Sequence, residues 1–271
     1  MLYHAKNAAL TLGNTTMDYI RFGSGNKALI ILPGLGDGLR TVKGTALPMA
    51  LMYRMFAGDF TVYAFSRKND LPTGYSTRDM AQDLKKAMDV LGISKAHIFG
   101  VSMGGMIAQH FAADYPDCVD KLVLAVTCPR ANPILTASIA EWKALALGGD
   151  HAALMDRNLR LIYSDTYYRQ NRWMIPLLGK LTQPKSYHRF LILADACLTH
   201  DAFDRLPEIA ASTLVVGGEK DLALGGEPSR EIAANIPGAA LYMYPQWGHG
   251  LYEEAKDFNT LVLSFLKQPN I

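Results

Sequence analysis

Three residues of this 271-residue chain have the side chains that serine-based acyl transfer requires, and they occur in the order Ser102, Asp221, His249. A serine hydroxyl is a poor nucleophile at neutral pH and needs an imidazole within hydrogen-bond reach to accept its proton. The imidazole in turn needs a carboxylate that holds its tautomer and stabilises the cation. The three residue types therefore predict a nucleophile, a general base and an orienting acid, provided that the fold brings them together.

The surroundings of Ser102 favour the role of nucleophile. An apolar run leads into the pentapeptide GVSMG, and a helical pattern begins directly after it. A G-x-S-x-G motif forms a nucleophile elbow when it lies in a sharp turn between a strand and a helix. Such a turn predicts a strained backbone at Ser102, at a cost on the order of 1–3 kcal/mol. The pentapeptide alone fits an ordinary turn with a helix-capping serine equally well, so the assignment depends on the other two residues.

The acid and the base each follow a predicted strand. Asp221 ends the run STLVVGGEKD, and His249 lies in the loop that ends AALYMYPQWGHG. Open parallel sheets place their functional residues just beyond the carboxyl ends of the strands. Glu219 is the alternative acid, but it comes two residues sooner after its strand, so we favour Asp221. No acid follows the preceding strand at its end, which is the other position where a triad acid can lie.

A glycine-rich loop upstream predicts the donors for an oxyanion. The segment KALIILPGLGDG is a short apolar strand that ends at a Pro-Gly step. A tetrahedral intermediate needs pre-placed N–H donors, and the backbone N–H groups of Leu35 and Met103 are our candidates. A dinucleotide-binding loop is the rival interpretation, but its third glycine is missing because position 39 is leucine. No G-x-x-x-x-G-K-[ST] motif is present, so the sequence excludes a P-loop.

Three stretches resemble the α/β-hydrolase superfamily, in its cofactor-free esterase, lactonase and haloperoxidase-like branch. They are KAHIFGVSMGGMIAQH around the elbow, PEIAASTLVVGGEKD before the acid, and WGHG around the histidine. The similarity runs over residues 16–126 and 206–268, and the chain order serine, acid, histidine is that of this fold. The resemblance implies an α/β fold with an eight-stranded, mostly parallel sheet, helices on both faces and a helical cap insertion.

Two loops depart from the family pattern. The loop after the third strand usually begins His-Gly, and here it begins Pro33-Gly34. We expect the oxyanion donors to be kept and a supporting histidine to be missing. The loop SRKNDLPTGYS is longer than the common Arg-Gly turn, although Gly74 and Ser76 fit its end.

Apolar periodicity places the predicted elements around these motifs. The predicted strands are Ala8–Thr11, Met17–Phe22, Ala28–Leu32, Thr61–Phe65, Ala96–Val101, Lys121–Val126, Thr213–Gly217 and Ala240–Tyr244. The helices predicted between them are Thr77–Leu91, Met103–Tyr115, Glu227–Asn235 and Tyr252–Lys267. Residues 1–127 and 206–271 form the predicted core domain.

Residues 128–205 interrupt this alternation and form the predicted helical cap. Its predicted helices are Thr136–Leu147, Ala152–Tyr163, Tyr167–Leu178 and Ser186–Leu198. Most of its bulky apolar side chains are expected to build the cap's own core and its contact with the main domain. Ligand pockets favour such domain interfaces and aromatic walls, and our candidates for a substrate pocket above the serine are Trp142, Tyr163 and Trp173.

Composition excludes several other classes of function. The net charge of +2 gives no reason to expect nucleic-acid or membrane-surface binding. Neither an apolar run of membrane-spanning length nor a signal-peptide pattern is present. The three cysteines (Cys118, Cys128 and Cys197) have no metal-type spacing and predict reduced thiols in a cytoplasmic protein. We expect no metal and no cofactor. The oligomeric state, monomer or dimer, stays open.

The remaining histidines are expected to be structural. His97 lies in a strand and His110 in a helix, and the other four, His4, His151, His188 and His200, are expected at the surface or at the seam.

The sequence therefore predicts a carboxylic ester hydrolase that acts on small to medium apolar esters through an acyl-enzyme. The same three residues serve a lactonase, a hydrolase of carbon–carbon bonds next to ketones, or a perhydrolase, so these stay as alternatives. A non-catalytic ligand receptor on this fold is a further alternative. A serine in the elbow argues against haloalkane dehalogenase and epoxide hydrolase chemistry, which in relatives uses an aspartate there.

Overall fold

The computed structural model describes residues 2–269, and within them eight strands form one sheet in the order β1-β2-β4-β3-β5-β6-β7-β8. The strands are β1 Lys6–Leu12, β2 Thr15–Phe22, β3 Lys27–Leu32, β4 Phe60–Lys68, β5 Ala96–Val101, β6 Val119–Ala125, β7 Ser212–Gly218 and β8 Ala240–Tyr244. β2 runs antiparallel to both of its neighbours, and all other pairs are parallel. The sheet confirms the predicted eight-stranded, mostly parallel architecture.

The sheet is covered on both faces because its central strands are apolar on both sides. Every residue of β5 is buried. Along β3, Ile30 and Leu32 belong to one apolar cluster while Leu29 and Ile31 belong to the other. Alternate residues of a strand point to opposite faces, so a continuous apolar strand needs helices on each side.

Helices α1 Ala46–Met52, α2 Thr77–Val90 and α3 Met103–Asp114 precede β6. Helices α4 Pro133–Leu147, α5 His151–Ile162, α6 Asp165–Asn171, α7 Ile175–Thr182 and α8 His188–Leu198 lie between β6 and β7. Helices α9 Glu227–Asn235, α10 Leu251–Glu254 and α11 Phe258–Lys267 follow β7. We call residues 128–205, which carry α4 to α8, the insertion. The predicted division into a core domain and a cap subdomain stays a prediction, and its residues 1, 270 and 271 lie outside the described part of the chain.

Two predicted helices are wrong because each is broken. The stretch predicted as Tyr252–Lys267 is α10 and α11, separated where Ala255 adopts an extended backbone (φ −79°, ψ 111°). The stretch predicted as Tyr167–Leu178 is α6, a short 3-10 turn and α7. Pro176 lies in the first turn of α7, where the missing N–H costs nothing. The short helix α1 was not predicted.

Neither disulfides nor membrane-spanning helices occur among the described residues. All three cysteines are free, with Cys128 and Cys197 buried and Cys118 partly buried. Over residues 2–269, no helix combines the length and the apolar character needed to cross a bilayer.

Candidate active site

Ser102 occupies the sharp turn between β5 and α3. Its backbone has φ 54° and ψ −122°, a conformation that residues other than glycine rarely adopt. The turn is held by the hydrogen bond from the Ser102 N–H to the Ala125 carbonyl, at 2.9 Å. The strained backbone expected for a nucleophile elbow is therefore present at this serine.

The glycines of the elbow are required by close backbone packing. A Cβ placed on Gly104 would lie 1.9 Å from the carbonyl oxygen of Leu32, at the end of β3. A Cβ on Gly100 would lie 2.5 Å from the carbonyl oxygen of Gly104. Only glycine lets the start of α3 approach the end of β3 this closely, and this approach sets where the Ser102 hydroxyl projects.

The structure brings the three predicted side chains into contact. His249 Nε2 lies 3.0 Å from Ser102 Oγ, and His249 Nδ1 lies 2.8 Å from Asp221 Oδ2. His249 and Asp221 are buried. With Asp221 ionised, its carboxylate accepts the Nδ1 hydrogen, which leaves Nε2 as the acceptor facing Ser102. This arrangement can remove a proton from the serine hydroxyl.

Asp221 is oriented by its own loop. Its second oxygen, Oδ1, accepts the backbone N–H groups of Ala223 at 2.8 Å and Leu224 at 3.1 Å. Both carboxylate oxygens are therefore engaged, and the group cannot rotate without losing hydrogen bonds. Glu219, the alternative acid, instead pairs with Arg230 on α9.

The loops that carry Asp221 and His249 support each other. The Lys220 N–H donates to the Trp247 carbonyl at 3.1 Å. A Cβ on Gly218 would lie 2.5 Å from that same carbonyl oxygen, and one on Gly248 would lie 2.8 Å from the Lys220 carbonyl oxygen. The distance between acid and base is thus fixed by the backbones of the two loops.

The two predicted oxyanion donors, Leu35 and Met103, are each the first residue of a helical segment. Leu35 begins a 3-10 turn, Leu35–Gly38, and Met103 begins α3. The first N–H groups of a helix have no acceptor within that helix. A Cβ on Gly34 would lie 3.3 Å from Ser102 Cβ, so this loop lies directly against the serine. The role of both donors stays a prediction.

Charged residues that the sequence did not single out support this loop. We call residues 33–38 the 33–38 loop. The carbonyl of its first residue, Pro33, accepts a hydrogen bond from Arg67 Nη2 at 2.5 Å. Asp37 Oδ2 accepts the Arg67 backbone N–H at 3.0 Å. A charged residue in an apolar setting is a weak sequence signal, and neither residue was assigned a role.

A cavity of about 470 Å³ opens above Ser102 and His249, between the insertion and the strand ends. Two of the three candidate pocket residues, Trp142 and Tyr163, line it. Trp173 does not, and that prediction is wrong. It lies in the 3-10 turn between α6 and α7, and 72% of its surface is exposed, so its side chain contacts solvent and not the cavity. Lining residues that the sequence analysis missed include Arg40, Met155, Asn158, Phe190, Tyr252 and Glu253.

One carboxyl group in the cavity has a perturbed protonation equilibrium. Tyr163 Oη donates to Glu253 Oε2 at 2.9 Å. Partial desolvation in the cavity wall raises the pKa of Glu253, the charge of neighbouring Glu254 raises it further, and the Tyr163 hydrogen bond opposes this rise. Glu253 is solvent-exposed and also lines the cavity, so its protonation can respond to pH and to a bound ligand.

Within residues 2–269, no group of three or more His, Cys, Asp or Glu side chains is arranged so that it could hold a metal ion. His97 and His110 are buried as expected for structural roles, and His200 and His151 are buried as well. His4 and His188 are exposed.

The family model of the alpha/beta hydrolase fold matches residues 27–256. The chain belongs to the α/β-hydrolase family. The match spans the elbow, the insertion and the loops of Asp221 and His249, so it covers every candidate residue of the site.

Individual α/β-hydrolases resemble the chain over most of its length. The 2-hydroxy-6-oxononadienedioate/2-hydroxy-6-oxononatrienedioate hydrolase of Burkholderia vietnamiensis is 30% identical over 260 residues, 91% of this chain and 89% of the relative. The putative carbamate hydrolase RutD of Caulobacter segnis is 29% identical over 207 residues, 73% of this chain and 75% of the relative. Among solved structures, MGS-M2, an α/β-hydrolase enzyme from a Medee basin deep-sea metagenome library, superimposes with a TM-score of 0.86 at 25% identity. That match covers 97% of this chain and 98% of the other.

This α/β-hydrolase is therefore an enzyme of the hydrolase class. The relatives are named for different substrates, so the family leaves open which bond this member cleaves.

Proposed function

We propose that the protein is a serine hydrolase that cleaves small to medium apolar carboxylic esters through an acyl-enzyme. The observation that carries the proposal is the pair of contacts of His249, 3.0 Å to Ser102 Oγ and 2.8 Å to Asp221 Oδ2. A base within hydrogen-bond reach of a hydroxyl, itself oriented by a carboxylate, is the arrangement that activates a serine.

In the first step, Ser102 Oγ forms a bond to the ester carbonyl carbon while its proton moves to His249 Nε2. The carbonyl oxygen becomes an oxyanion that the Leu35 and Met103 N–H groups receive. When the intermediate collapses, the bond to the alcohol oxygen breaks, and His249 returns the proton to that oxygen. In the second step, water gives a proton to His249 as its oxygen adds to the acyl carbon. The bond between that carbon and Ser102 Oγ then breaks, and His249 gives the proton to Ser102 Oγ, which releases the carboxylic acid and restores the free serine.

The cavity supports a substrate with a large apolar part. Aromatic and aliphatic side chains from the insertion, such as Trp142, Met155 and Phe190, face the strand ends across it. Its volume of about 470 Å³ suits a small to medium organic molecule. The polar lining groups are few, so they decide orientation more than affinity.

The test compares Ser102→Ala with Ser138→Ala. Ser138 is a buried serine of α4 that does not line the cavity. We expect Ser102→Ala to lose hydrolysis of p-nitrophenyl acetate and butyrate, and to lose labelling by a fluorophosphonate, while its melting temperature stays near that of the parent. Ser138→Ala should keep both activities. Ester turnover by folded Ser102→Ala, or a parent protein that neither turns over esters nor labels, would contradict the proposal, and the second result would favour a receptor.

A second candidate is hydrolysis of a carbon–carbon bond next to a ketone. The substrate in the name of the Burkholderia relative is a 2-hydroxy-6-oxo dicarboxylate that contains no ester. A hydrolase acting on such a molecule must cleave a carbon–carbon bond at the ketone. Arg40 is the only lysine or arginine among the residues that line the cavity described here, and a carboxylate is its natural ligand.

The two candidates differ in their need for Arg40. Assays compare a vinylogous diketone that bears a carboxylate with a neutral p-nitrophenyl ester. Faster turnover of the diketone, with Arg40→Gln raising its KM tenfold or more and leaving the neutral ester unchanged, would favour the second candidate. Efficient ester turnover without diketone cleavage would favour the first.

A further inference from the structure

Arg189, in the first turn of α8, donates hydrogen bonds from the insertion to the 33–38 loop. Its Nη2 lies 2.7 Å from Asp37 Oδ2, and its Nε lies 3.1 Å from the Asp37 carbonyl oxygen. The remaining contacts are to the end of β4, where Nη2 lies 2.9 Å from the Arg67 carbonyl oxygen and Nη1 lies 2.5 Å from that of Lys68. One guanidinium therefore joins three segments of the chain.

Asp37 is a fully enclosed acceptor for this contact. Its side chain has 0% exposure, whereas that of Arg189 has 17%. Asp37 lies two residues after Leu35, within the same 3-10 turn. Its backbone N–H donates to the Gly34 carbonyl at 3.2 Å. That carbonyl and the Leu35 N–H belong to the same planar peptide group, so the position of Asp37 constrains the direction in which the Leu35 N–H points.

The side chains of two different arginines hold the two ends of the 33–38 loop. Arg67 donates to the Pro33 carbonyl at the start of the loop, and Arg189 donates to Asp37 near its end. Helix α8 also packs against the loop, because a Cβ on Gly38 would lie 2.8 Å from the Phe190 Cα. Movement of α8 must therefore move the loop.

The electrostatics make this cluster sensitive to the loss of one member. Arg67 is buried, and burial lowers the pKa of its guanidinium, while the charge of Asp37 opposes the change and that of Arg189 adds to it. The Arg189 side chain forms the ion pair with Asp37, whereas Arg67 contacts that carboxylate through its backbone N–H. Because a planar guanidinium donates in a fixed fork, a lysine cannot reproduce the Arg189 contacts.

We propose that Arg189 is a positioning residue for catalysis, which holds the Leu35 N–H of the 33–38 loop in the geometry that receives the oxyanion. The inference rests on the proposed function, because it needs Ser102 to generate that oxyanion. It also gives the insertion a part in the chemical step, through a side chain that does not contact the reacting atoms.

The test uses Arg189→Lys and Arg189→Gln, with Arg157→Gln as the matched control. Arg157 is an arginine of α5 in the insertion that pairs with Glu141 and does not line the cavity. A displacement of about 1 Å can cost roughly 10²-fold in rate. We therefore expect kcat for p-nitrophenyl butyrate to fall roughly 10- to 100-fold in Arg189→Gln, and less in Arg189→Lys, with KM changed less than threefold.

The second readout is the rate of phosphonylation by a fluorophosphonate. Attack on phosphorus develops negative charge on the phosphoryl oxygen and uses the same donors, so the rate per folded molecule should fall in parallel with kcat. A role confined to stability would lower the melting temperature and leave this rate unchanged. Asp37→Asn, which keeps the shape of the acceptor, should slow phosphonylation and should not add to the effect of Arg189→Gln.

Retention of kcat and of the phosphonylation rate within threefold in both Arg189 variants would overturn the inference, as would a loss expressed in KM alone. If neither Arg189 variant folds, Asp37→Asn decides by the same two rates. If the parent is phosphonylated but does not turn over esters, the proposed ester specificity is contradicted. The role of Arg189 is then still tested by the phosphonylation rates. A parent that is not labelled would overturn both proposals.

Discussion

Tyr163 of the insertion donates a 2.9 Å hydrogen bond to Glu253, a residue of the short helix that follows His249. The Gly250 N–H donates to the Ile162 carbonyl beside it, at 2.6 Å. The segment that carries the candidate general base is therefore tied directly to the insertion. Tyr163 and Glu253 both line the cavity, so the hydrogen bond between them forms part of the cavity wall.

The charge on Glu253 should make selectivity depend on pH. Its pKa is raised, chiefly by partial desolvation in the cavity wall, so the carboxyl stays protonated at pH values where a fully hydrated glutamate is ionised. As pH rises through this raised pKa, a negative charge appears in the cavity wall. We predict that kcat/KM for an anionic ester falls relative to that for a neutral ester of the same size over this range, measured between pH 4 and 8.

Glu253→Gln should remove that trend, since glutamine stays neutral throughout. Glu141→Gln, which removes an exposed carboxylate on α4, is the control and should retain it. A ratio that changes with pH equally in the parent and in Glu253→Gln would show that another group is responsible.

Ser164 contributes to stability through two sets of contacts. Its backbone N–H and its hydroxyl both donate to the Glu254 carboxylate, at 3.0 and 2.5 Å, and the hydroxyl oxygen caps α6 by accepting the Tyr167 N–H. We predict that Ser164→Ala lowers the free energy of unfolding by about 1–3 kcal/mol, since it removes a helix cap and a hydrogen bond to a charged group. Urea unfolding measures this loss.

Ser186→Ala is the comparison for Ser164→Ala. Ser186 accepts a single exposed N–H, that of His188, so its removal should change the unfolding free energy by less than about 0.5 kcal/mol. Equal losses in the two variants would mean that the contact of Ser164 with Glu254 adds nothing to stability.

A buried histidine pair should limit stability in acid. The rings of His110 and His200 lie 5.1 Å apart, and His200 Nδ1 contacts Thr77 Oγ1 at 2.9 Å. Burial lowers the pKa of His110 to about 4 and that of His200 to about 3, the second also because of the neighbouring His110. The charged groups that act on His110 are Asp114, Arg205, Arg78 and Asp201.

Because these pKa values lie below the unfolded value of about 6.5, the unfolded chain binds protons first as pH falls. The contribution of the pair to stability is therefore complete above about pH 6.5 and is lost as pH falls from there to about pH 3, the folded pKa of His200. One pKa unit corresponds to about 1.4 kcal/mol, so the pair should cost several kcal/mol over this interval. The loss should be smaller in His200→Gln and unchanged in His188→Gln, which alters an exposed histidine. Parallel curves of unfolding free energy against pH for the parent and His200→Gln would contradict the assignment.

The sequence predicted the strands and the three contacting side chains because both follow local rules. Strand candidates are short apolar runs, and Ser102, Asp221 and His249 each lie just beyond the end of one. The helix break at Ala255 was missed because neither glycine nor proline marks it. Trp173 was assigned to the pocket because helical periodicity identifies an apolar residue and does not say which side of an inserted helix faces the site.

The contact between Arg189 and Asp37 joins residues that are 152 positions apart, and no pattern in either segment refers to the other. Such a contact depends on where α8 packs, which is a property of the whole fold. The sequence indicated only that a supporting histidine is missing at position 33. It could not indicate that two arginines from other elements hold the loop instead.

Gly104 tests how strictly backbone packing sets the elbow. A Cβ there would lie 1.9 Å from the Leu32 carbonyl oxygen, and because the neighbour is backbone, it cannot rotate away. We predict that Gly104→Ala displaces the start of α3, lowers the free energy of unfolding by about 2 kcal/mol or more, and slows phosphonylation of Ser102. Gly58→Ala is the control, since a Cβ there meets nothing within 4 Å. If Gly104→Ala matched Gly58→Ala in both unfolding and labelling, the close approach of α3 to β3 would not be what positions the serine.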